Sequence, residues 1–563
     1  MLGQNVIIQS IGASSGVIVA GAIFTLPALY ILGLEAEFYQ IFLSSLLGGL
    51  LGILMLIPFR KYFVKDMHGK YPFPEATATT EVLVSGEKKG NQAKLLAISG
   101  LVGGLYDFFI STFGWWTENI STRIVGWGEL LAEKLKLVFK VNTGAAVLGL
   151  GYIIGLKYAA IICAGSFAVW FVLIPFISYF GDGQTIAVGE GITTLLRDMS
   201  PEEIFRNYAR HIGIGGIAMA GIIGIIRSSK IIRQAVGLAV NELKGKKTAE
   251  ETVERTQKDL TMKFIMIGIL ATLVTTFLFF QFGVLGNWFQ TVVAILIVFV
   301  ISFLFTTVAA NAIAIVGTNP VSGMTLMTLI LASLVLVSAG LSGTNGMMAA
   351  MVIGGVVCTA LSMAGGFITD LKIGYWLGTT PAKQETWKFL GTAVSAATVA
   401  GVMIILNKTY GFTGEGALVA PQANAMAAVI KPLMEGGATP WMLYFAGAAL
   451  ALILTMIGVP AFALGMFIPL ELNTPLLVGG LVSWFVSTRS KDEAVNKARR
   501  DRGTLIASGF IAGGALMGVI SAILKYAGAD WYRAWSGAEW LAVVMYIVII
   551  GYFIWDALRG KKE

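Results

Sequence analysis

The chain has 563 residues, 56% of them hydrophobic and only 13% charged, with a formal net charge of +8. That is far more apolar surface than one soluble core can hide, so lipid is the missing solvent and a soluble enzyme or binding module is excluded. The two cysteines, Cys163 and Cys358, lie in apolar runs and are joined by only two histidines, His68 and His211, which excludes a disulfide framework and a thiolate metal site.

A helix needs about 20 apolar residues to cross a hydrocarbon layer roughly 30 Å thick. Runs of that kind predict full crossings near residues 5–33, 38–58, 95–115, 205–226, 261–283, 288–308, 318–340, 345–368, 385–406, 438–458, 503–525 and 541–557. Two longer stretches, 143–180 and 459–486, are interrupted by Gly155-Leu156-Lys157 and Pro469-Leu470-Glu471, and read as two-armed hairpins or broken helices. Residues 71–84 and 417–435 are apolar but too brief to span, and read as re-entrant segments. Four-residue spacing of small side chains, Gly216, Ala220 and Gly224 and again Gly514 and Gly518, reads as helix-packing seams. The fold class expected is therefore an all-α polytopic membrane protein of about 12 full crossings plus two hairpins. A cleavable signal peptide is not expected, because Met1 to Gln4 carry no basic residue and the apolar run from Val6 far exceeds a signal core.

Lys and Arg cluster at Arg60 to Lys70, Lys88 to Lys94, Arg227 to Lys263, Lys372 to Lys388, Arg489 to Arg502 and Arg559 to Lys562. The positive-inside rule places all six on the cytoplasmic side of the cytoplasmic (inner) membrane. The connections around Glu35, Asp182 to Glu203 and Asp530 to Glu539 are acidic or balanced and fall on the other side. The segment from Leu243 to Lys263 alternates charge at helical spacing, which predicts a cytoplasmic helix joining two halves.

Those halves share an internal repeat. Pro74-Glu-Ala-Thr-Ala-Thr79 through Leu83 aligns with Pro421-Gln-Ala-Asn-Ala-Met426 through Ile430, and Gly21 to Gly33 aligns with Gly366 to Gly378. In one ungapped register, Leu150-Gly151, Gly165 and Trp170 match Leu464-Gly465, Gly479 and Trp484. The charge-derived topology makes the repeats inverted, the arrangement of many alternating-access transporters with a site near the midplane. The expected organisation is a first repeat over residues 1–242 with its last helix at 261–283, a charged connector over 243–263, and a second repeat within 264–563. Residues 288–340 have no counterpart after residue 1, so the first repeat is expected to lack two helices.

Several segments together resemble the oligopeptide transporter family, in its bacterial branch near the yellow-stripe-like metal-chelate carriers. They are Ala22-Ile-Phe-Thr-Leu-Pro-Ala28, Ile57-Pro58, Tyr71-Pro-Phe-Pro-Glu-Ala-Thr-Ala-Thr79 with Glu81-Val82-Leu83, Gly149-Leu-Gly-Tyr-Ile-Ile-Gly155, Asn319-Pro-Val-Ser-Gly-Met324, and Gly458-Val-Pro460 through Gly479-Gly480. The resemblance spans essentially the whole chain and implies a proton-coupled symporter of short peptides or of metals bound to small chelators. A signature of the Lys-Ile-Pro-Pro-Arg type, found in the fungal peptide branch, is missing, which leaves the substrate open.

Ionisable groups at membrane depth are costly and mark candidate sites. Glu75, with Thr77 and Thr79 beside it and Gln422 as its repeat mate, is the leading candidate for the proton. Tyr106 and Asp107 lie inside a crossing behind Gly103-Gly104, and Asp107 reads either as the alternative carrier or as a structural hydrogen-bond partner of a neighbouring helix. Glu471 and Asn473 follow the Pro469 break, and Asn311, Asn319, Gln422 and Asn424 supply uncharged amides suited to peptide groups or to helix-to-helix hydrogen bonds. Asp370, Lys372 and Lys383 read as an interfacial anchor. No cofactor and no metal ligand set is expected, the coupling ion being a proton. The expected partners are lipid and a small-molecule substrate, with no nucleic acid and with a homo-oligomer left open. A channel is the alternative, since re-entrant loops also build selectivity filters. A membrane enzyme fares worst, because no nucleophile elbow, phosphate-binding loop or His-Glu-x-x-His pair occurs.

Overall fold

The computed structural model describes residues 2–561 apart from 72, 88–91, 184–191, 244–253, 317–320, 415–416, 419, 438, 458–460 and 530. The chain begins with α1 (Leu2–Thr25), α2 (Phe38–Leu56), a short α3 (Pro74–Glu87) and α4 (Gln92–Phe108). It continues through α5 (Ala145–Ile154), α6 (Leu156–Phe167), α7 (Arg210–Leu243), α8 (Met262–Phe280), α9 (Trp288–Val316) and α10 (Val321–Ser338). Next come α11 (Gly343–Trp376), α12 (Pro381–Thr409), a short α13 (Pro421–Glu435) and α14 (Trp441–Ile457). The last four are α15 (Ala461–Phe467), α16 (Leu470–Thr488), α17 (Glu493–Tyr526) and α18 (Ala538–Ala557).

Among the described residues, eleven helices are long and apolar enough to cross a membrane, and the chain is an all-α, multi-pass integral membrane protein. Helix α8 shows why. Thr261 caps it by accepting a hydrogen bond from the Phe264 N–H, and Ile267, Leu270, Val274 and Leu278 form an exposed apolar stripe at helical spacing, which only lipid can cover.

Both expected breaks are present. Between α5 and α6, Gly155 takes φ 79° and ψ 162°, a conformation that favours glycine. Between α15 and α16, Pro469 is extended at ψ 145° and cannot donate to the preceding turn. Helices α3 and α13 have 14 and 15 residues, about 22 Å at most against roughly 30 Å of hydrocarbon.

The molecule forms two compact units, each discontinuous in sequence: Met1–Lys89 with Ala218–Thr439, and Gly90–Ile217 with Pro440–Glu563. Both members of each matched block therefore fall in the same unit. In the second unit, Gly151 packs on the Leu476 carbonyl, Gly465 on the Ile162 carbonyl, Gly165 on the Phe462 carbonyl and Gly479 on the Leu148 carbonyl. Exchanging repeat mates returns the same four contacts, which is the signature of a two-fold axis. The first unit repeats the relationship. Gly391 packs on the Ile11 carbonyl and Ser14 while Gly48 packs on the Val356 carbonyl and Thr359, and Ile11 and Val356, like Ser14 and Thr359, are mates in the register that pairs Gly33 with Gly378.

Two expectations are corrected here. The seam of α17 is Gly509 and Gly513, which meet Ser99 and Gly100 of α4, not Gly514 and Gly518. Gly514 instead makes room for the Asp107 carboxylate, and Gly518 has nothing within 4 Å of where a Cβ would stand. Residues 255–261, described within the expected connector helix, are a single 3-10 turn followed by extended chain. Arg60 pairs with Asp259, and the Leu260 N–H donates to Glu385 Oε2 at 2.7 Å. These tertiary bonds outweigh the local pattern of alternating charge.

In the second unit a strand pair, Asn119–Ser121 with Lys140–Asn142, and the helix Gly126–Lys134 fill a span to which the hydropathy pattern assigns no crossing. Glu202 holds this hairpin through Lys140 at 2.7 Å and Arg123 at 3.1 Å. Burial pushes the Glu202 carboxyl up, but the Lys140 hydrogen bond and the two cations outweigh it and leave it below the usual carboxylate value.

Candidate functional site

In the first unit, the chain enters α3 through Phe73, whose φ of 45° is rare for a bulky residue. Its ring is buried and its N–H donates to the Ala314 carbonyl of α9 at 3.0 Å. Pro74 opens the helix, where its missing N–H costs nothing. Glu75 follows in the first turn and is exposed. Thr77, also exposed, donates its hydroxyl to the Phe73 carbonyl at 3.0 Å, and Thr79 is half-buried.

Helix α13 starts in the same way, with Pro421 in its first turn. Gln422 stands where α3 has Glu75, with its Oε1 buried and unbonded among the described residues. Asn424 donates Nδ2 to the Ala420 carbonyl at 3.0 Å, a local bond that ties up part of its amide. Both short helices pack on α1 and α11. On α9, Asn311 has its Oδ1 buried without a partner among the described residues. Asn319 lies outside the described residues.

The interfacial-anchor reading of Asp370 and Lys372 is corrected by the same unit. Only Lys383 is exposed; Asp370 and Lys372 are 2% and 1% exposed. Asp370 Oδ2 meets Lys388 Nζ at 2.6 Å and Ser10 Oγ at 3.3 Å, and its Oδ1 accepts from Gln9 Nε2 at 3.0 Å. Lys388 also donates to the Ser10 carbonyl at 2.9 Å. Lys372 donates to the Val64 carbonyl at 2.8 Å, lies 3.0 Å from His68 Nδ1, and sits over the rings of Phe73, Tyr375 and Trp376 at 5.0–5.3 Å. Aromatic faces attract a desolvated cation, and so hold this one at the entrance to α3. A helix emerging into the cytoplasm predicts headgroup anchors here; the partners that bury these groups come from other segments of the chain.

The second unit holds the remaining candidates, and two of them have structural partners. Asp107 accepts from the N–H groups of Ala145 at 2.8 Å and Ala146 at 3.2 Å, so it caps the first turn of α5 from another helix. Tyr106 is buried with its ring 5.0 Å from that of Trp116. Asn473 is fully buried and donates to Ser166 Oγ at 2.5 Å and to the carbonyls of Gly465 and Ile468 at 3.3 Å, binding the broken helices together. Glu471 is half-buried, and its Oε2 has no partner among the described residues.

The model of the OPT oligopeptide transporter protein family matches residues 1–525. A protein of Haemophilus influenzae named "Putative oligopeptide transporter" is 27% identical over an alignment that covers 99% of this chain and 94% of that protein. The match runs through the short helices, both broken helices and the buried charge cluster of α11 and α12. This chain belongs to the oligopeptide transporter (OPT) family, whose members are membrane transporters and not enzymes.

Proposed function

We propose that the protein is a secondary active symporter that moves short peptides, or peptide-like metal chelates, across the cytoplasmic membrane on the proton gradient. The observation that carries this reading is the pair of short proline-led helices, α3 and α13, one from each repeat, both packed on α1 and α11 of one unit. Half-helices related by an inverted repeat are the usual site of substrate and coupling ion in alternating-access carriers. Substrate is held at their N-terminal turns, where Gln422, Asn424 and the α3 threonines supply groups suited to amides and carboxylates. Glu75 carries the proton, being an exposed carboxylate on one short helix with an uncharged mate on the other. Asp107 is the weaker candidate because both its oxygens already serve the α5 backbone.

The test is accumulation of labelled di- to hexapeptides and ferric chelates by proteoliposomes under an inward proton gradient. Wild-type protein accumulates at least one class, and Glu75→Gln loses the response to the gradient. Wild-type vesicles that accumulate neither class would overturn the proposal.

A further inference from the structure

The two-fold relationship of the first unit supplies an internal control for its buried charges. Gly33 and Gly378, at φ 72° and 73°, stand at equivalent turns that close the two matched segments. Their register pairs Thr25 with Asp370, and Gln9 and Ser10 with Gly354 and Gly355. The contacts respect it: Asp370 bonds Gln9 and Ser10, and the Thr25 methyl lies 3.3 Å from where a Cβ on Gly354 would stand. The mate of Gly391 is Gly48, as their reciprocal packing shows, so the mate of Lys388 is Ser45, which is also fully buried.

One end of the axis thus holds Gln9, Ser10, Asp370 and Lys388, and the other holds Gly354, Gly355, Thr25 and Ser45. The same helix crossing packs with no charge at all, so the architecture does not require the ion pair. A buried pair costs more desolvation than two hydroxyls, and its best-attested uses are to fix register or to act as a switch. We infer that Asp370 is a second proton-binding carboxylate of the coupling mechanism, with Lys388 as the cation that occupies it when the proton is absent.

This inference rests on the symport reading. The proton adds to Asp370 Oδ2, the oxygen that Lys388 Nζ holds at 2.6 Å, converting carboxylate to carboxylic acid. Lys388 is left as an uncompensated buried cation, which favours parting of α1, α11 and α12. The charged neighbours are few. Glu75 on α3 lies within electrostatic range of Asp370, Lys372 is on the same helix with His68 beside it, and Glu385 on α12 is turned to Leu260 and to the Arg60–Asp259 pair. Helices α1, α2, α9 and α10 carry no charged residue, and Lys431 and Glu435 of α13 are exposed.

The test uses lipid-reconstituted full-length wild type, Asp370→Asn, and the double variant Asp370→Thr with Lys388→Ser, which removes both charges together and installs at these two positions the residues of their repeat mates, Thr25 and Ser45. Two quantities are measured: the infrared carboxylic C=O band on acidification, and gradient-driven accumulation of the peptide mixture against exchange without a gradient. Wild type should show a protonated-carboxyl band missing from both variants. The double variant should lose about tenfold or more of gradient-driven accumulation while still exchanging peptide. Identical infrared changes in all three proteins, or equal accumulation by wild type and double variant, overturn the inference and leave the symport reading standing. Absence of gradient-driven accumulation by wild type removes the reading itself.

Discussion

Gly165 and Gly465 face each other where the two broken helices of the second unit cross: a Cβ on the first would lie 3.1 Å from the Cα of the second, and a Cβ on the second 3.2 Å from the Cα of the first. Each is also pressed on a carbonyl of the partner helix. Close approach of this kind is how membrane helices gain packing energy without a hydrophobic drive.

Replacing either glycine should therefore force the helices apart. Gly465→Ala is expected to cost about 1–3 kcal/mol, the usual penalty for overpacking, and to lower the midpoint of thermal unfolding in detergent. Gly518→Ala, at a position with open space around it, serves as the comparison. Equal midpoints for the two variants would show that the crossing is looser than described.

Asp107 should behave as a cap. Removal by Asp107→Ala frees two N–H groups at the start of α5 and should cost about 1–2 kcal/mol, whereas Asp107→Asn keeps one acceptor and loses less. Transport should track stability in both variants. A fully stable Asp107→Asn protein that no longer transports would assign Asp107 to the coupling chemistry instead.

The Glu202 cluster predicts an acid-sensitive hairpin. Its folded-state carboxyl lies below the usual value, so its stabilising contribution is complete above the unfolded value of about 4.3 and is lost as pH falls through the lower, folded one. Hydrogen exchange over residues 119–142, corrected for intrinsic rates, should rise a few-fold in that acidic window. Glu202→Gln should already exchange that much faster at neutral pH. A hairpin equally protected in both proteins at all pH values would remove the cluster from its support.

Inversion of the repeats predicts that mates lie on opposite sides of the membrane. Glu35 and Lys383 flank the equivalent turns at Gly33 and Gly378, and both are exposed. In right-side-out vesicles an impermeant maleimide should label Glu35→Cys and spare Lys383→Cys, and in inside-out vesicles the reverse; the native cysteines are both buried. Labelling of both from one side contradicts inverted topology.

What was readable in the sequence is what single residues dictate. Gly155 and Pro469 break helices by their own backbone limits, and the short segments were visible because length alone decides whether a helix spans. What was not readable depends on partners distant in sequence. Depth in the membrane marks Asp107 either as a binding group or as a hydrogen-bond partner of another helix, and the groups it bonds, the N–H groups of Ala145 and Ala146, lie on a helix that local sequence does not point to. Asp370 and Lys372 read as interfacial anchors from their place near the cytoplasmic end of a helix, whereas Gln9, Lys388 and Val64 bond them in the interior. The connector pattern was locally helical, but Arg60 and Glu385 hold its end extended. The repeat register itself singles out Asp370, a charge where the matched block has Thr25.

The most direct test of coupled transport is the current recorded from proteoliposomes on a solid-supported membrane when the peptide and chelate mixtures are added at equal pH on both sides. Proton-coupled symport predicts an inward positive current that saturates with substrate and is abolished in Glu75→Gln; substrate entry with no associated charge movement or proton uptake would contradict coupling.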